Sequence, residues 1–395
     1  MKALRGENLK KILVIRTDHA GDLLLSLPFL KTLRDNLPKA EITLLLTPYL
    51  AEIMQGHPYC DKIIVADSSF QTSSLKNEHF DLAISLAPRT SSYKLAYATK
   101  ARFRAGYLYT GRPLVKLGAY FWLTHKITFD IRGMLNKGQP VPHEIEQLRM
   151  FSEALGLKTG DLSIYYPLSS EDDQFGIEAL NKAGALPGSA KIALHLHERW
   201  LSSWSLDNLA DLTAELASLP ANTADASTAS GEASTQPADY AKTAGSLSET
   251  AASRETHLGN ILAITFGPAE KELANHLKTR FREKYPHLSS NLAFFGNLSF
   301  KQWMSVLKAS DVTVSPDTGA IHVAVTAGKP VVAVYEADTA DLCSQQWAPW
   351  QVPHQSIAKK EASQTIPEII KAASLLRNSA SYEQASSNTA ITPYK

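Results

Sequence analysis

Cysteine is nearly missing: Cys60 and Cys343 are the only two in 395 residues. Two thiols so far apart exclude a disulfide scaffold and a CxxC metal site. Net charge is nearly missing too. Forty Lys and Arg stand against thirty-nine Asp and Glu, a formal charge of +1. That excludes a chain covered in basic charge for nucleic acid, and equally a long acidic tail. No apolar run reaches the ~18 residues of a membrane-spanning helix. The start, MKALRGENLKKILVIR, has basic residues but no apolar stretch of signal length, and a cytoplasmic protein is expected. Several site motifs are missing as well. Neither GxGxxG after the first strand nor GxxxxGK[ST] occurs, so dinucleotide-dehydrogenase and P-loop readings lose their main support. GxSxG, HExxH and zinc-spaced Cys/His clusters are absent too, and no metal site is expected.

What is present is a grammar of strands alternating with helices. KILVIRT (11–17) reads as a buried parallel strand, DHAGD (18–22) as a turn and LLLSLPFLKTLRDNL (23–37) as a helix, with Pro28 in its early turns or kinking it. EITLLLT (41–47), KIIVAD (62–67) and DLAISLA (81–87) are further strands, and HEIEQLRMFSEALG (143–156) is a helix. The second half repeats the pattern. KIALHLH (191–197), NILAITFG (260–267), NLAFFG (291–296), DVTVS (311–315) and KPVVAVYE (329–336) are strands. Helical patterns at 206–219, 269–284 and 299–310 separate them. Such βαβ units imply two doubly wound α/β domains in tandem, with ligands beyond the carboxyl ends of the strands. Residues 221–256 interrupt the second half and are mostly Ala, Ser and Thr. They offer too little apolar surface to offset ordering entropy and read as a poorly ordered insertion. IPEIIKAASLLRN (366–378) reads as a last amphipathic helix, followed by a frayed polar tail.

Between Arg89 and Lys137 the composition changes. Ten Lys and Arg face a single acid, Asp130, with Tyr93, Tyr97, Phe103, Tyr107, Tyr109, Tyr120, Phe121 and Trp122 interleaved. A solvated surface over core aromatics is one reading; a face for an anionic partner or a membrane is the other.

Two loops carry the candidate chemistry. TDHAGD (17–22) closes the first strand, and Asp22 falls just inside the next helix start. An acid there suits the helix dipole, and a carboxylate at the top of a parallel strand also suits a general base. SPDTGAIH (315–322) opens a helix at Thr318-Gly319-Ala320. Backbone N–H groups at a helix start can hold a diphosphate, with Gly319 leaving room and Thr318 adding a hydroxyl. His322 lies one turn further on the same side.

Together these loops resemble glycosyltransferase family 9, the ADP-heptose:lipopolysaccharide heptosyltransferases. The resemblance starts at KILVIRTDHAGDLLLSLPFLKTLRDNLPKAEITLLL and continues through KARFRAGY (100–107) and HEIEQLRMFSEALG. It resumes at FGPAEKELA (266–274) and at 295–336, where DTGxxH stands at Asp317, Thr318, Gly319 and His322. It implies a GT-B architecture, two Rossmann-like domains facing across a cleft. Residues 1–175 would hold the acceptor and 186–365 the donor, with 366–395 as C-terminal helix and tail. The implied reaction is inverting and metal-independent, needs no cofactor, and moves heptose from ADP-heptose to the lipopolysaccharide inner core. Asp22 matches the catalytic base. Asp317, Thr318, Gly319 and His322 match the donor loop. The partners implied are a nucleotide sugar and an anionic, lipid-linked saccharide, with peripheral contact on the inner face of the inner membrane and no nucleic acid. Arg89, Lys100, Arg102 and Arg104 are the acceptor-face candidates.

The chain departs from the family pattern at HLHERWLSSWS (195–205). Ser202-Ser203 stand where relatives have a basic residue, and Ser205 stands where they have Pro after Trp204. Arg199 or His197 is the expected substitute for the missing charge. Tyr335-Glu336 stand near a usual Gly, which brings Glu336 to the donor edge. A family member using another nucleotide sugar or glycan acceptor is therefore the alternative. A non-catalytic two-domain binding protein is the rival of a different class.

Overall fold

A computed structural model describes Leu4, residues 8–220 and residues 260–387 of the chain. The expected insertion at 221–256 lies outside the described residues. The fold divides into two compact units: residues 1–167 with 338–351, and residues 168–337 with 352–395.

The first unit is built on a parallel sheet of six strands: β1 (Lys11–Ile15), β2 (Glu41–Leu46), β3 (Lys62–Val65), β4 (Leu82–Ser85), β5 (Phe103–Tyr109) and β6 (His125–Phe129). Their order is β3-β2-β1-β4-β5-β6, with every neighbouring pair parallel. The apolar runs dictate this. In β1 and β4 nearly every residue is buried, as required of central strands covered by helices on both faces. Leu13, Ile15, Ala83 and Leu108 pack on one side against Tyr93 and Ala96 from the helix Thr90–Ala98. On the other side Phe29 stacks on Phe151, ring centroids 5.8 Å apart. The helix expected over 23–37 is two helices, Ala20–Leu25 and Leu27–Asn36. Pro28 lacks the N–H an interior position would donate, so it sits in the first turn of the second.

The second unit repeats the design with β7 (Lys191–His195), β8 (Ile261–Thr265), β9 (Leu292–Phe295), β10 (Val312–Pro316), β11 (Val331–Glu336) and β12 (His354–Lys359). Its order, β12-β11-β10-β7-β8-β9, is the same topology. In both sheets the order reverses at a central pair, β1/β4 and β7/β10. In doubly wound sheets the loops leaving such a pair run to opposite faces, and ligands bind at the carboxyl edge there. The two-sheet α/β architecture expected from the sequence is present.

The unit borders differ from the expected ones. The helix Ser170–Lys182 belongs to the second unit, where it packs against Phe300–Ala309. The C-terminal helix starts earlier than expected and runs Ala362–Ser387, into the segment expected to fray, with Pro367 inside it. It packs on β10, β11 and β12 of its own unit. The segment that leaves the second unit is Asp338–Gln351. Within the first unit, Trp350 Nε1 donates to Leu162 O (3.0 Å) and Gln345 Oε1 accepts from Val141 N (2.8 Å).

Candidate functional site

In the first unit the site forms where β1 ends. The residue after Ile15 is Arg16, whose side chain is only 2% exposed. Its guanidinium donates to Leu86 O, beyond β4, and so ties the two central strands together. Three carboxylates surround it. Asp18 Oδ1 is 3.2 Å from Nε, Asp22 Oδ1 is 3.4 Å from Nη2, and Glu144 Oε1 is 3.8 Å from Nη2. Glu144 opens the helix Glu144–Ala154 and is held by two phenols, Tyr107 at 2.5 Å and Tyr109 at 3.0 Å. Gln346 reaches the Tyr109 hydroxyl at 3.0 Å.

One buried cation thus faces three acids. Burial raises the pKa of Asp18 and of Glu144, and the Arg16 charge opposes both shifts. Burial also works against the Arg16 charge, but Asp18, Asp22, Tyr107 and Glu144 outweigh it and keep the guanidinium ionised. Asp22 is the member that meets solvent, with its side chain 27% exposed. It sits in the first turn of Ala20–Leu25, where its charge complements the helix N-terminus.

Of the expected acceptor-face residues, only Arg89 reaches this end of the sheet. It precedes the helix Thr90–Ala98, just past β4, and its charge acts on Asp18. Lys100, Arg102 and Arg104 are corrected by the register. β5 pairs Phe103 with Leu82, and β4 pairs Leu82 with Ile12, so these residues lie at the opposite, amino edge. The length of β5, roughly 20 Å, separates the two ends. Arg104 is spent on the carbonyls of Trp122 (2.8 Å) and Ala101 (2.7 Å). Lys100 Nζ lies 4.0 Å from the Tyr97 ring, and the Arg102 guanidinium 4.6 Å from the Phe103 ring.

In the second unit the site forms where β7 and β10 end. Asp317 N donates to Val334 O (2.8 Å), which fixes the turn leaving β10. Thr318 caps the helix Gly319–Thr326, its Oγ1 accepting from Ala320 N at 3.3 Å. Asp317 Oδ2 pairs with Arg199 at 3.3 Å. His197 caps the short helix Glu198–Ser202, accepting from Arg199 N, and its Nε2 lies 3.7 Å from Glu270. His322 is buried one turn inside Gly319–Thr326. The loop therefore gathers Arg199, Asp317 and Thr318 at its rim, with His322 behind them.

Two sequence departures meet at a residue that sequence reasoning missed. The parallel register places Glu336 opposite Lys359, the last residue of β12. The buried Lys359 ammonium bonds Glu336 Oε1 (2.7 Å), Ser202 Oγ (2.5 Å) and the Arg199 carbonyl. Ser202 also donates to Glu336 (2.9 Å). A positive charge therefore does stand beside Ser202, delivered by a neighbouring strand. Ser205, where relatives have Pro, makes a capping box with Asn208 for the helix Leu206–Ala217. Serine and proline both suit a helix start. Trp200 and Trp204 stack 5.6 Å apart beneath this loop, their indole N–H groups donating to His195 O and Lys360 O.

Residues 256–371, which carry the Asp317–His322 loop, match the family model described as glycosyltransferase family 9 (heptosyltransferase). Over those residues the chain is similar to glycosyltransferase family 9. A candidate glycosyltransferase of Haemophilus influenzae is 30% identical over 103 residues, a stretch spanning 24% of this chain and 30% of that relative. Solved structures extend the likeness in fold to both units. A family 9 glycosyltransferase of Veillonella parvula has a TM-score of 0.64 at 17% identity, over 93% of this chain and 97% of its own. The ADP-heptose lipopolysaccharide heptosyltransferase II of E. coli has a TM-score of 0.65 at 15% identity, over 93% and 98%. The E. coli heptosyltransferase WaaC, solved with ADP-2-deoxy-2-fluoro heptose, has a TM-score of 0.56 at 16% identity, over 91% and 98%. At such identities the likeness speaks for the GT-B fold alone.

Proposed function

We propose that this chain is an inverting glycosyltransferase of family 9 that moves heptose from ADP-heptose to the lipopolysaccharide inner core, an anionic, lipid-linked acceptor. The observation that carries the reading is Asp22: a carboxylate at the carboxyl edge of β1, partly exposed to solvent and paired with a buried guanidinium. Asp22 takes the proton of an acceptor hydroxyl while that oxygen attacks the anomeric carbon. The bond from that carbon to the diphosphate oxygen breaks, and ADP leaves. Arg16 keeps the carboxylate oriented toward the incoming hydroxyl.

Asp317, Thr318, Gly319 and His322 form the donor loop. Thr318 already satisfies the N–H groups of Ala320 and Ile321 through its hydroxyl and carbonyl. The diphosphate is therefore assigned to Gly319 N–H and to the guanidinium of Arg199, with His197 beside it. Fixed donors of this kind do what a divalent cation does in other glycosyltransferases, so the reaction is proposed as metal-independent, with no cofactor beyond the donor itself. Arg89 is the acceptor-side cation.

The test is ADP release from ADP-heptose with truncated lipopolysaccharide. Wild-type protein is expected to release ADP only when acceptor is present. Asp22→Ala, folded as judged by circular dichroism, is expected to lose about 10²- to 10⁴-fold in rate. Equal rates in the two proteins would remove Asp22 as the base.

The Lys359–Glu336–Ser202 cluster favours a second reading, a different nucleotide sugar, because it places an acid and a cation at the donor edge together. Competition among nucleotide sugars in the same assay separates the two. If ADP-heptose fails to compete where another donor does, the second reading stands.

A further inference from the structure

The helix Pro113–Trp122, which joins β5 to β6, has two apolar faces. Gly118 and Ala119 are buried, with Val115 and Trp122 beside them, where the helix packs on Thr90–Ala98. The opposite face is apolar as well and lies open. Leu114 is 78% exposed, Leu117 55%, Tyr120 70% and Phe121 66%. Positions 114, 117 and 121 stack along one stripe, and 120 borders it. Single exposed apolar residues are ordinary, but four on one stripe of a ten-residue helix mark an interaction surface.

The charges around the stripe say what covers it. From residue 89 to residue 129 the sequence holds eight Lys and Arg and no Asp or Glu. Arg112 and Lys116 lie at the amino end of the stripe. Lys126 Nζ is 5.1 Å from the Tyr120 ring and Lys94 Nζ is 5.4 Å from the Trp122 ring, at its carboxyl end. Arg104, bonded to Trp122 O, adjoins the same end. An apolar stripe with aromatics, with Arg112, Lys116 and Lys126 beside it in the chain or in space, matches the acyl boundary and headgroups of an anionic bilayer. Lys and Arg stems can lie along the apolar face while their charges reach phosphates. The helix is about 15 Å long, too short to cross a bilayer and suited to lie in its surface.

We propose that Pro113–Trp122 is an interfacial helix that docks this protein on anionic membranes, inserting Leu114, Leu117, Tyr120 and Phe121 among the lipids. The inference rests on this surface alone and does not need the transfer reaction above.

The test is flotation of the purified chain with phosphatidylcholine vesicles, with and without phosphatidylglycerol and with no saccharide present. Wild-type protein is expected to float with the anionic vesicles and to stay behind with pure phosphatidylcholine. The Leu117→Ser/Phe121→Ser variant is expected to lose roughly tenfold or more in partitioning, with its melting temperature unchanged. Arg112→Gln/Lys116→Gln is expected to weaken partitioning and flatten its salt dependence. Asp22→Ala is expected to partition like wild type, so loss of transfer and loss of docking are read separately. Equal flotation of the Leu117→Ser/Phe121→Ser variant, equal binding to both kinds of vesicle, or no flotation at all would overturn the proposal. So would a lipid-free dimer in sedimentation velocity that the same variant abolishes, since the stripe would then cover a second copy.

Discussion

Taking the guanidinium away from Arg16 would leave Asp18, Asp22 and Glu144 facing one another, two of them buried. Removing one partner of a buried ion cluster is costly because the remaining charges have neither water nor a counter-charge. Arg16→Ala is accordingly expected to destabilise the first unit by about 3–5 kcal/mol, read from urea unfolding. Histidines set an opposite balance. An ordinary histidine takes up its proton near pH 6.5. Burial holds His57 down to about 4, and burial with the neighbouring His197 holds His195 to about 3. Below about pH 6.5 the unfolded chain binds these protons and the folded chain does not. The stability present above pH 6.5 is therefore lost as the pH falls, toward 4 for His57 and toward 3 for His195. Each histidine contributes a slope of about 1.4 kcal/mol per pH unit in its window. Asp18 and Glu144, raised by burial, act in the other sense: their contribution is present at low pH and lost as the pH rises through their raised values. His57→Gln is expected to flatten the loss on acidification, measured as the urea midpoint between about pH 7 and pH 5.

Among the elements, the helices Ser170–Lys182 and Phe300–Ala309 pack backbone against backbone. Gly176 N donates to Ser305 Oγ at 2.7 Å, and a Cβ on Gly176 would lie 2.1 Å from Ser305 O. Neither backbone can yield without separating the helices. Gly176→Ala is expected to cost about 1–3 kcal/mol, read as a lower unfolding midpoint of the second unit, against the small gain alanine brings to an isolated helix. That first helix was missed in the sequence, and the domain border expected at 175 falls inside it, although Ser169 and Asp172 form a capping box three residues apart. The apolar strands were legible, because buried parallel strands need uninterrupted Ile, Leu and Val. β5, β6 and β12 were not. FRAGYLY, HKITF and HQSIAK mix charge and polarity with apolar residues, since they lie toward or at the sheet edges where one side meets solvent. Reading 89–137 as one basic segment hid two strands and three helices in it, Thr90–Ala98, Pro113–Trp122 and Ile131–Asn136.

On the scale of the molecule, the first unit is completed by a segment far along the chain. Gln346 bonds Tyr109, His143 stacks on Trp350 with centroids 4.6 Å apart, and Ala348 O lies 3.0 Å from His143 Nε2. A fragment of residues 1–167 alone is thus expected to melt lower than the same fragment carrying 338–351 on a flexible linker. Equal melting temperatures would show that the segment adds nothing to that unit. The sequence alone determined that there are two Rossmann-like sheets, which loops follow their central strands, and that Asp22 and the Asp317–His322 stretch stand where those loops enter the next helices. Hydrophobic periodicity and helix-start chemistry are local and act within a dozen residues, so they can be read in order along the chain. Only the tertiary structure decided which charges meet. Arg16 finds Glu144, Glu336 finds Lys359 and Asp317 finds Arg199 because parallel register and strand order bring them together. Those pairings are separated by 128, 23 and 118 residues (144 − 16, 359 − 336 and 317 − 199). No local pattern records them, since an ion pair depends on distance in space and leaves each partner's sequence neighbours free.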